Sequence, residues 1–181
     1  MTKKKLREKS FFLRQLIKDK NVKEKKIIEN LKSIIPTNNE IISGYYPVNS
    51  EVNILPFLKF LIKKDLVICL PFIFKANSHL LFKKFKLETR LIDGKYKIKV
   101  PDNDDYFEPS IILVPILSFD LNKNRLGYGG GYYDRTISYL VKKKKILTIG
   151  IAFDEQQIEK IPSMNHDMKL DVVVTETKII K

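Results

Sequence analysis

The chain is short of several things that would otherwise define it. It has one cysteine, Cys69, so no internal disulfide can form. Cys69 sits in the apolar run Leu66 to Leu70 and reads as a buried thiol. No apolar stretch approaches the roughly 20 residues that cross a bilayer. The longest, such as Ile111 to Leu117, has the length of a strand. The basic start, Met1 to Ser10, is followed by neither an apolar core nor a small-residue cleavage site. The expectation is a cytoplasmic protein without a membrane partner. There is no internal repeat and no linker rich in Pro, Gly or Ser, which predicts a single domain over residues 1–181.

Acidic residues are also scarce. Against 34 Lys and Arg there are 21 Asp and Glu, a formal net charge of +13. Nucleic acid is the first partner such a charge suggests. However, the lysines run along the whole chain and do not gather beside aromatics. Together with abundant Ile and Asn, they match an AT-rich coding bias. The expectation is therefore no nucleic-acid partner. A polyanionic small substrate gains equally from a positive field.

What is present alternates between helical and extended patterns. Apolar residues Leu6, Leu13, Leu16 and Ile17 predict an amphipathic helix over Leu6 to Lys18. A second helix fits Val22 to Ile35 and ends at Pro36. After a turn-prone Asn38-Asn39 come a strand at Ile41 to Tyr46, a helix over Val52 to Lys64, and a strand from Leu66 to Leu70 stopped by Pro71. His79 to Leu87 and Lys95 to Val100 alternate as strands of a hairpin or sheet edge. Ile111 to Val114, Ile146 to Phe153 and Val172 to Thr175 are further strands. Tyr132 to Val141 is a helix, and Asp154 to Glu159 a short helical piece. Short strands apolar on both faces, alternating with helices, predict an α/β three-layer sandwich with a mostly parallel central sheet, Rossmann-like in architecture. Ligands of such sheets collect beyond the carboxyl ends of the strands. The loops after Ile41–Tyr46, Ile111–Val114 and Ile146–Phe153 are thus the places for chemistry.

One of these loops is unusual. In Arg125-Leu126-Gly127-Tyr128-Gly129-Gly130-Gly131-Tyr132-Tyr133-Asp134-Arg135, four of the seven glycines fall within five positions. Successive amide N–H groups beside a helix N-terminus make an anion site. Arg125 and Arg135 add guanidinium donors suited to phosphate. A flexible turn would have no use for three tyrosines and two arginines. The spacing is neither a Walker A loop nor a dinucleotide fingerprint, which leaves a phosphate loop of another class.

This segment resembles the signature of the 5-formyltetrahydrofolate cyclo-ligases, also called methenyltetrahydrofolate synthetases: Arg-Leu-Gly-x-Gly-x-Gly-(Tyr/Phe)-Tyr-Asp. Other segments match in order. Lys3-Lys4-Lys5-Leu6-Arg7 resembles the family's basic helix start, and Tyr46 to Val52 its substrate segment. The lead-in Pro115-x-x-x-Phe119-Asp120 also fits, as does His166-Asp167-Met168-Lys169-Leu170-Asp171 near the C-terminus.

The resemblance implies an enzyme, a ligase of folate one-carbon metabolism that uses MgATP to close 5-formyltetrahydrofolate into 5,10-methenyltetrahydrofolate. It implies that Lys3 to Arg7 and Arg125 to Tyr133 bind ATP, with Lys3 and Arg7 on the phosphates. Tyr46, Glu51 and Tyr128 to Tyr132 would line the folate pocket. Asp134 and Asp167 would hold Mg²⁺, and Arg125 and Tyr132 would serve the chemistry. His166 receives no role. The implied partner is a small molecule, a folate with one or more glutamates, and the implied state is a monomer. Lys83, Lys84 and Lys86 are candidates to steer an anionic tail. Two readings from the residues stand beside this one: another ATP-dependent ligase or kinase, and a basic RNA-binding module.

Overall fold

The computed structural model describes residues 2–36 and 40–181. The turn expected at Asn38-Asn39 lies outside the described residues. Two helices open the chain, α1 (Lys3–Leu16) and α2 (Lys20–Ile34), separated by Asp19 in the left-handed region at φ 53°. Helix α1 begins earlier than its apolar pattern predicts, because the Thr2 side chain accepts the Lys5 N–H at 3.4 Å and caps it.

The buried face of α1 is a correction to the expected amphipathic stripe. Leu13 and Leu16 are 44% and 59% exposed, whereas Leu6, Ser10 and Arg14 are buried. These three lie four residues apart on one face. That face covers a polar floor: Ser118 donates to Ser10 Oγ at 2.8 Å, and Arg14 donates to the Ile116 carbonyl at 3.1 Å.

The body is a sheet of seven strands, with helix α3 (Leu55–Ile62) and helix α4 (Tyr132–Leu140) between its strands in sequence. The strands are β1 (Ile41–Ser43), β2 (Val67–Phe72), β3 (Leu81–Lys84), β6 (Ile111–Pro115), β9 (Leu147–Ile151), β10 (Val172–Val174) and β11 (Ile179–Ile180). Their order is β11-β10-β9-β6-β1-β2-β3. The inner five are parallel, and β3 and β11 run antiparallel at the two edges. Strand β6 shows why the layers form. Ile111 and Leu113 pack into one core with Ile27 and Leu31 of α2 and Phe57, Leu58 and Leu61 of α3. Ile112 and Val114 pack into the other core with Leu140 of α4. A strand buried on both faces between helices gives the three-layer α/β sandwich.

Strand β2 continues through Pro71 to Phe72, pairing Pro71 with Phe82. Proline does not stop it because β1 pairs with β2 only as far as Cys69, so no partner on that side needs the missing N–H. The sole thiol, on Cys69, is buried in mid-sheet and donates to the Ile42 carbonyl at 3.6 Å. Burial pushes it well above the usual thiol range. The segments His79 to Leu87 and Lys95 to Val100 do not pair with each other. The first supplies β3. The second supplies a single 3₁₀ turn and β5 (Lys99–Pro101), which pairs with β4 (Leu91–Asp93) in a separate hairpin. No described helix is long and apolar enough to cross a membrane.

The chain leaves β1 for β2 and β3 on one side, then returns to β6 on the other side of β1. This reversal opens a crevice beyond the carboxyl ends of β1 and β6.

Candidate active site

The crevice is a cleft of about 1540 Å³, and seven of the protein's eight tyrosines line it. From the loop after β1 come Tyr46 and Glu51. Glu51 is 8% exposed and accepts the Val48 N–H at 3.0 Å. Burial raises its carboxyl above the usual range, opposed by the Val48 N–H, the Arg14 charge and the Tyr128 hydroxyl. Neighbouring Tyr45 is fully buried and donates to the Val52 carbonyl at 3.0 Å, so it braces this loop.

The glycine segment enters from β6 through a two-strand ladder, β7 (Ser118–Phe119) with β8 (Arg125–Leu126). Asp120 builds the turn between them. It is fully buried, and its carboxylate accepts the N–H groups of Asn122, Asn124 and Ile161 at 3.0 Å each. Leu126 packs with Leu6 of α1 and with Ile161. Two glycines then take conformations closed to most side chains: Gly129 at φ 96° and Gly131 at φ 64°. A β-carbon on Gly129 would also come within 3.1 Å of the Arg7 guanidinium. The loop backbone and the first helix are therefore in intimate contact, and Arg7 Nε donates to the Gly127 carbonyl at 3.0 Å.

Helix α4 starts at Tyr132, as its sequence predicts. Tyr132 is half-buried under the Arg135 guanidinium, 5.1 Å from the ring centre. The Tyr133 phenol is driven far upward by burial and by Glu51, against the pull of Arg125. Arg135 donates to the Ser78 and Gly130 carbonyls at 3.0 and 2.6 Å.

Two carboxylates face this loop. Asp134 Oδ1 accepts from Arg125 Nη2 at 2.7 Å and from the Met168 N–H at 2.9 Å. Asp167 Oδ2 accepts from Lys3 Nζ and from the Met164 N–H. Burial pushes the Asp167 carboxyl up, yet Lys3 and the Met164 N–H outweigh it and hold it below the usual range. Arg125 also donates to the Met168 carbonyl, tying the segment that carries Asp167 to β8. In each aspartate one oxygen carries these hydrogen bonds, while the other has no hydrogen-bond donor among the described residues. Two carboxylate oxygens without a hydrogen-bond donor, with His166 Nε2 4.0 Å from that of Asp167, beside an anion loop suit Mg²⁺, which takes one or two carboxylates and completes its shell with phosphate and water. No cluster of three acidic, His or Cys ligands occurs among the described residues.

The cleft thus gathers Lys3, Arg7, Tyr46, Glu51, Arg125 to Tyr133, Asp134 and Asp167. It does not gather Lys4, Lys5 or Leu6. Lys4 and Lys5 point to solvent, and Leu6 is core. Of the three N-terminal lysines, Lys3 lines the cleft. Nor do Lys83, Lys84 and Lys86 line the cleft: Lys83 turns to Asp104 at 3.4 Å, and Lys84 lies over Phe107. In their place Lys95 and Lys97 of the β4–β5 hairpin and Lys142 beyond α4 line it. Sequence reasoning missed Arg14 and underrated Asp120. A lone arginine in a basic helix and an aspartate in an Asn-rich turn carry no signal of burial.

The chain matches the 5-formyltetrahydrofolate cyclo-ligase family over residues 2–176. The 5-formyltetrahydrofolate cyclo-ligase of Mycoplasma genitalium is 30% identical over 159 residues, covering 86% of each chain. That of Haemophilus influenzae is 29% identical over 140 residues, covering 74% of each. The NMR structure of Aquifex aeolicus 5,10-methenyltetrahydrofolate synthetase superposes with a TM-score of 0.82 at 30% identity, covering 99% of this chain and 92% of that one. With the glycine loop, Glu51 and the two aspartates converging in one cleft, and with a match running almost end to end, the chain belongs to the 5-formyltetrahydrofolate cyclo-ligase family.

Proposed function

We propose that this protein uses MgATP to convert 5-formyltetrahydrofolate to 5,10-methenyltetrahydrofolate, releasing ADP and phosphate. The observation that carries the reading is the single cleft that joins Glu51 to the glycine loop and to Asp134 and Asp167. One wall offers a carboxylate for a heterocycle with N–H donors. The other offers amides, cations and carboxylates for a metal-bound triphosphate.

The chemistry explains why both are needed. The N5-formyl group is an amide, and resonance makes its carbon a poor electrophile. Its oxygen attacks the γ-phosphorus of ATP; the new O–P bond forms as the bond to the β-phosphate oxygen breaks and ADP leaves. N10 then attacks the activated carbon and loses its proton, and the C–O bond breaks to release phosphate. Phosphoryl transfer asks the protein for positioning and charge neutralisation. Lys3 and Arg7 project from one face of α1, and the amides of residues 127–131 lead into the N-terminus of α4; together they bind and orient the phosphates. Asp134 and Asp167 would hold Mg²⁺, which supplies Lewis-acid neutralisation of phosphate charge. Arg125 keeps those two carboxylate segments in register through Asp134 and Met168. Tyr132 and Tyr128 offer ring faces for stacking on flat heterocycles, and Tyr46 and Glu51 seat the pterin.

The test is spectrophotometric. Purified protein with 5-formyltetrahydrofolate, ATP and Mg²⁺ should develop the near-ultraviolet methenyl band, and omission of ATP or Mg²⁺ should abolish it. A folded protein that binds ATP but forms no band refutes the folate assignment.

A further inference from the structure

Arg14 is the largest of the fully buried side chains, 1% exposed. A buried charge is costly unless it is paired. Yet no carboxylate lies within 4.0 Å of Arg14 among the described residues. Its guanidinium instead joins three separate segments. Nε donates to Ser50 Oγ at 3.0 Å, next to Glu51. Nη1 donates to the Ile116 carbonyl at 3.1 Å, just beyond β6. Nη2 donates to the Tyr128 hydroxyl in the glycine loop. Those segments are the two sides of the crevice where strand order reverses, and Arg14 reaches them from the helix whose other end carries Lys3 and Arg7.

Packing does not demand this arrangement. Ile116 O is already served by Gln156 Nε2 at 2.6 Å, and a methionine of similar length would fill the space without a buried charge. What only a cation provides is a field and a three-way fork. The titratable groups facing Glu51 are Arg14 from α1, Tyr45 beside it on the same loop, Tyr128 from the glycine loop and Tyr133 from α4. Arg14 is the only cation in this set. We propose that Arg14 is a positioning residue of the active site: it fastens the Tyr128 hydroxyl and the loop bearing Glu51 to one buried positive charge, so that carboxylate and glycine loop meet the substrate as a single preorganised unit. The proposal rests on the folate reading for what Glu51 contacts, but the unit itself can be tested without it.

The sign follows from the geometry. Glu51 must be ionised to accept from the donors of a pterin. Burial favours its neutral form, and Arg14 opposes burial. Removing Arg14 raises the pH at which Glu51 ionises.

The first measurement is a carbon-13 NMR titration of the Glu51 carboxyl in wild type, Arg14→Met, Arg14→Lys and Tyr128→Phe. The midpoint should move upward by about one pH unit in Arg14→Met and return toward wild type in Arg14→Lys. Tyr128→Phe should move it the same way by less; Tyr128 is half-exposed, so this variant keeps the test alive where Arg14→Met fails to fold. The second measurement is the pH dependence of KM for 5-formyltetrahydrofolate. Its acid limb should follow the NMR midpoint, giving about tenfold weaker KM in Arg14→Met on the acid side with kcat little changed. A purely structural arginine predicts a lower unfolding temperature in both Arg14 variants and a Glu51 midpoint that stays put; that result overturns the proposal, as does an unmoved midpoint in Tyr128→Phe. A midpoint that moves while the enzyme forms no methenyl product upholds the unit and refutes the folate reading.

Discussion

Asp120 offers the sharpest test of how the glycine loop is held. Its carboxylate is fully buried, with no cation within 4.0 Å among the described residues, and is held by N–H donors alone. Oδ1 accepts the Asn122 and Asn124 amides at 3.0 Å each, and Oδ2 accepts the Ile161 N–H at 3.0 Å and Asn124 Nδ2 at 2.9 Å. Asp120→Asn keeps the shape but replaces one acceptor with a donor. The oxygen stays where two amides converge, so the new NH₂ faces both the Ile161 N–H and Asn124 Nδ2, donor against donor; Asn124 Nδ2 keeps its contact with Oδ1 at 3.1 Å, whereas the Ile161 N–H has no second acceptor in this turn. The loss is one charge-assisted hydrogen bond and one buried N–H left unpaired, together about 3 kcal/mol. For a protein of this size that lowers Tm by roughly 10 °C. Because Ile161 packs on Leu126 and Leu6, the variant should also loosen the start of the glycine loop against α1 and raise KM for ATP severalfold. Calorimetric melting of the purified variant reads the first effect and initial rates at varied ATP read the second. An Asp120→Asn protein melting within about 2 °C of wild type would refute the reasoning, since a shift that small corresponds to less than 1 kcal/mol.

The remaining predictions concern the cleft. Arg125→Ala removes the pair with Asp134 at 2.7 Å and the bond to the Met168 carbonyl; turnover should fall at least about a hundredfold, with a higher KM for ATP, and unchanged ATP kinetics would count against the assignment. Asp134→Asn and Asp167→Asn should each raise the Mg²⁺ concentration for half-maximal rate, roughly tenfold or more, read from rates against free Mg²⁺ at fixed ATP; an unaltered Mg²⁺ profile in both would remove them as ligands. Lys95, Lys97 and Lys142 line the cleft without a carboxylate within 4.0 Å among the described residues, while Asp93 is paired with Lys99 at 3.0 Å. Replacing all three with alanine should raise KM for the anionic folate a few-fold at low salt, and the difference should vanish near 1 M salt, where screening is complete within about 3 Å.

The sequence made the sheet and the glycine loop readable for the same reason: each depends on local pattern. Strand β6 is apolar on both faces, and the glycines, tyrosines and arginines of residues 125–135 sit together in the chain. The parts that escaped depend on distant partners. Of the apolar pattern Leu6, Leu13, Leu16 and Ile17, Leu6 is buried but Leu13 and Leu16 are largely exposed, because the surface beneath that part of α1 is made of hydroxyls and carbonyls rather than side-chain carbon. The two-residue strands β7, β8 and β11 are too short to show a period. Asp120 looks like any turn former until Ile161, forty-one positions later, brings its N–H to it. Among the basic residues near the N-terminus, Lys3 stands out from Lys4 and Lys5 only once Asp167 is in place.

The tyrosine lining of the cleft has an optical consequence. The chain contains no tryptophan, and seven of its eight tyrosines face one cavity, so ultraviolet emission excited in the protein comes almost wholly from the ligand's surroundings. A nucleotide or folate entering the cleft should therefore change most of the intrinsic fluorescence at once, without any attached dye. The single thiol, sealed in mid-sheet, leaves the exterior inert to maleimides, so a cysteine introduced at the exposed Val22 on α2, away from the cleft lining, would be the one labelled position, and its emission could be followed separately from that of the cavity.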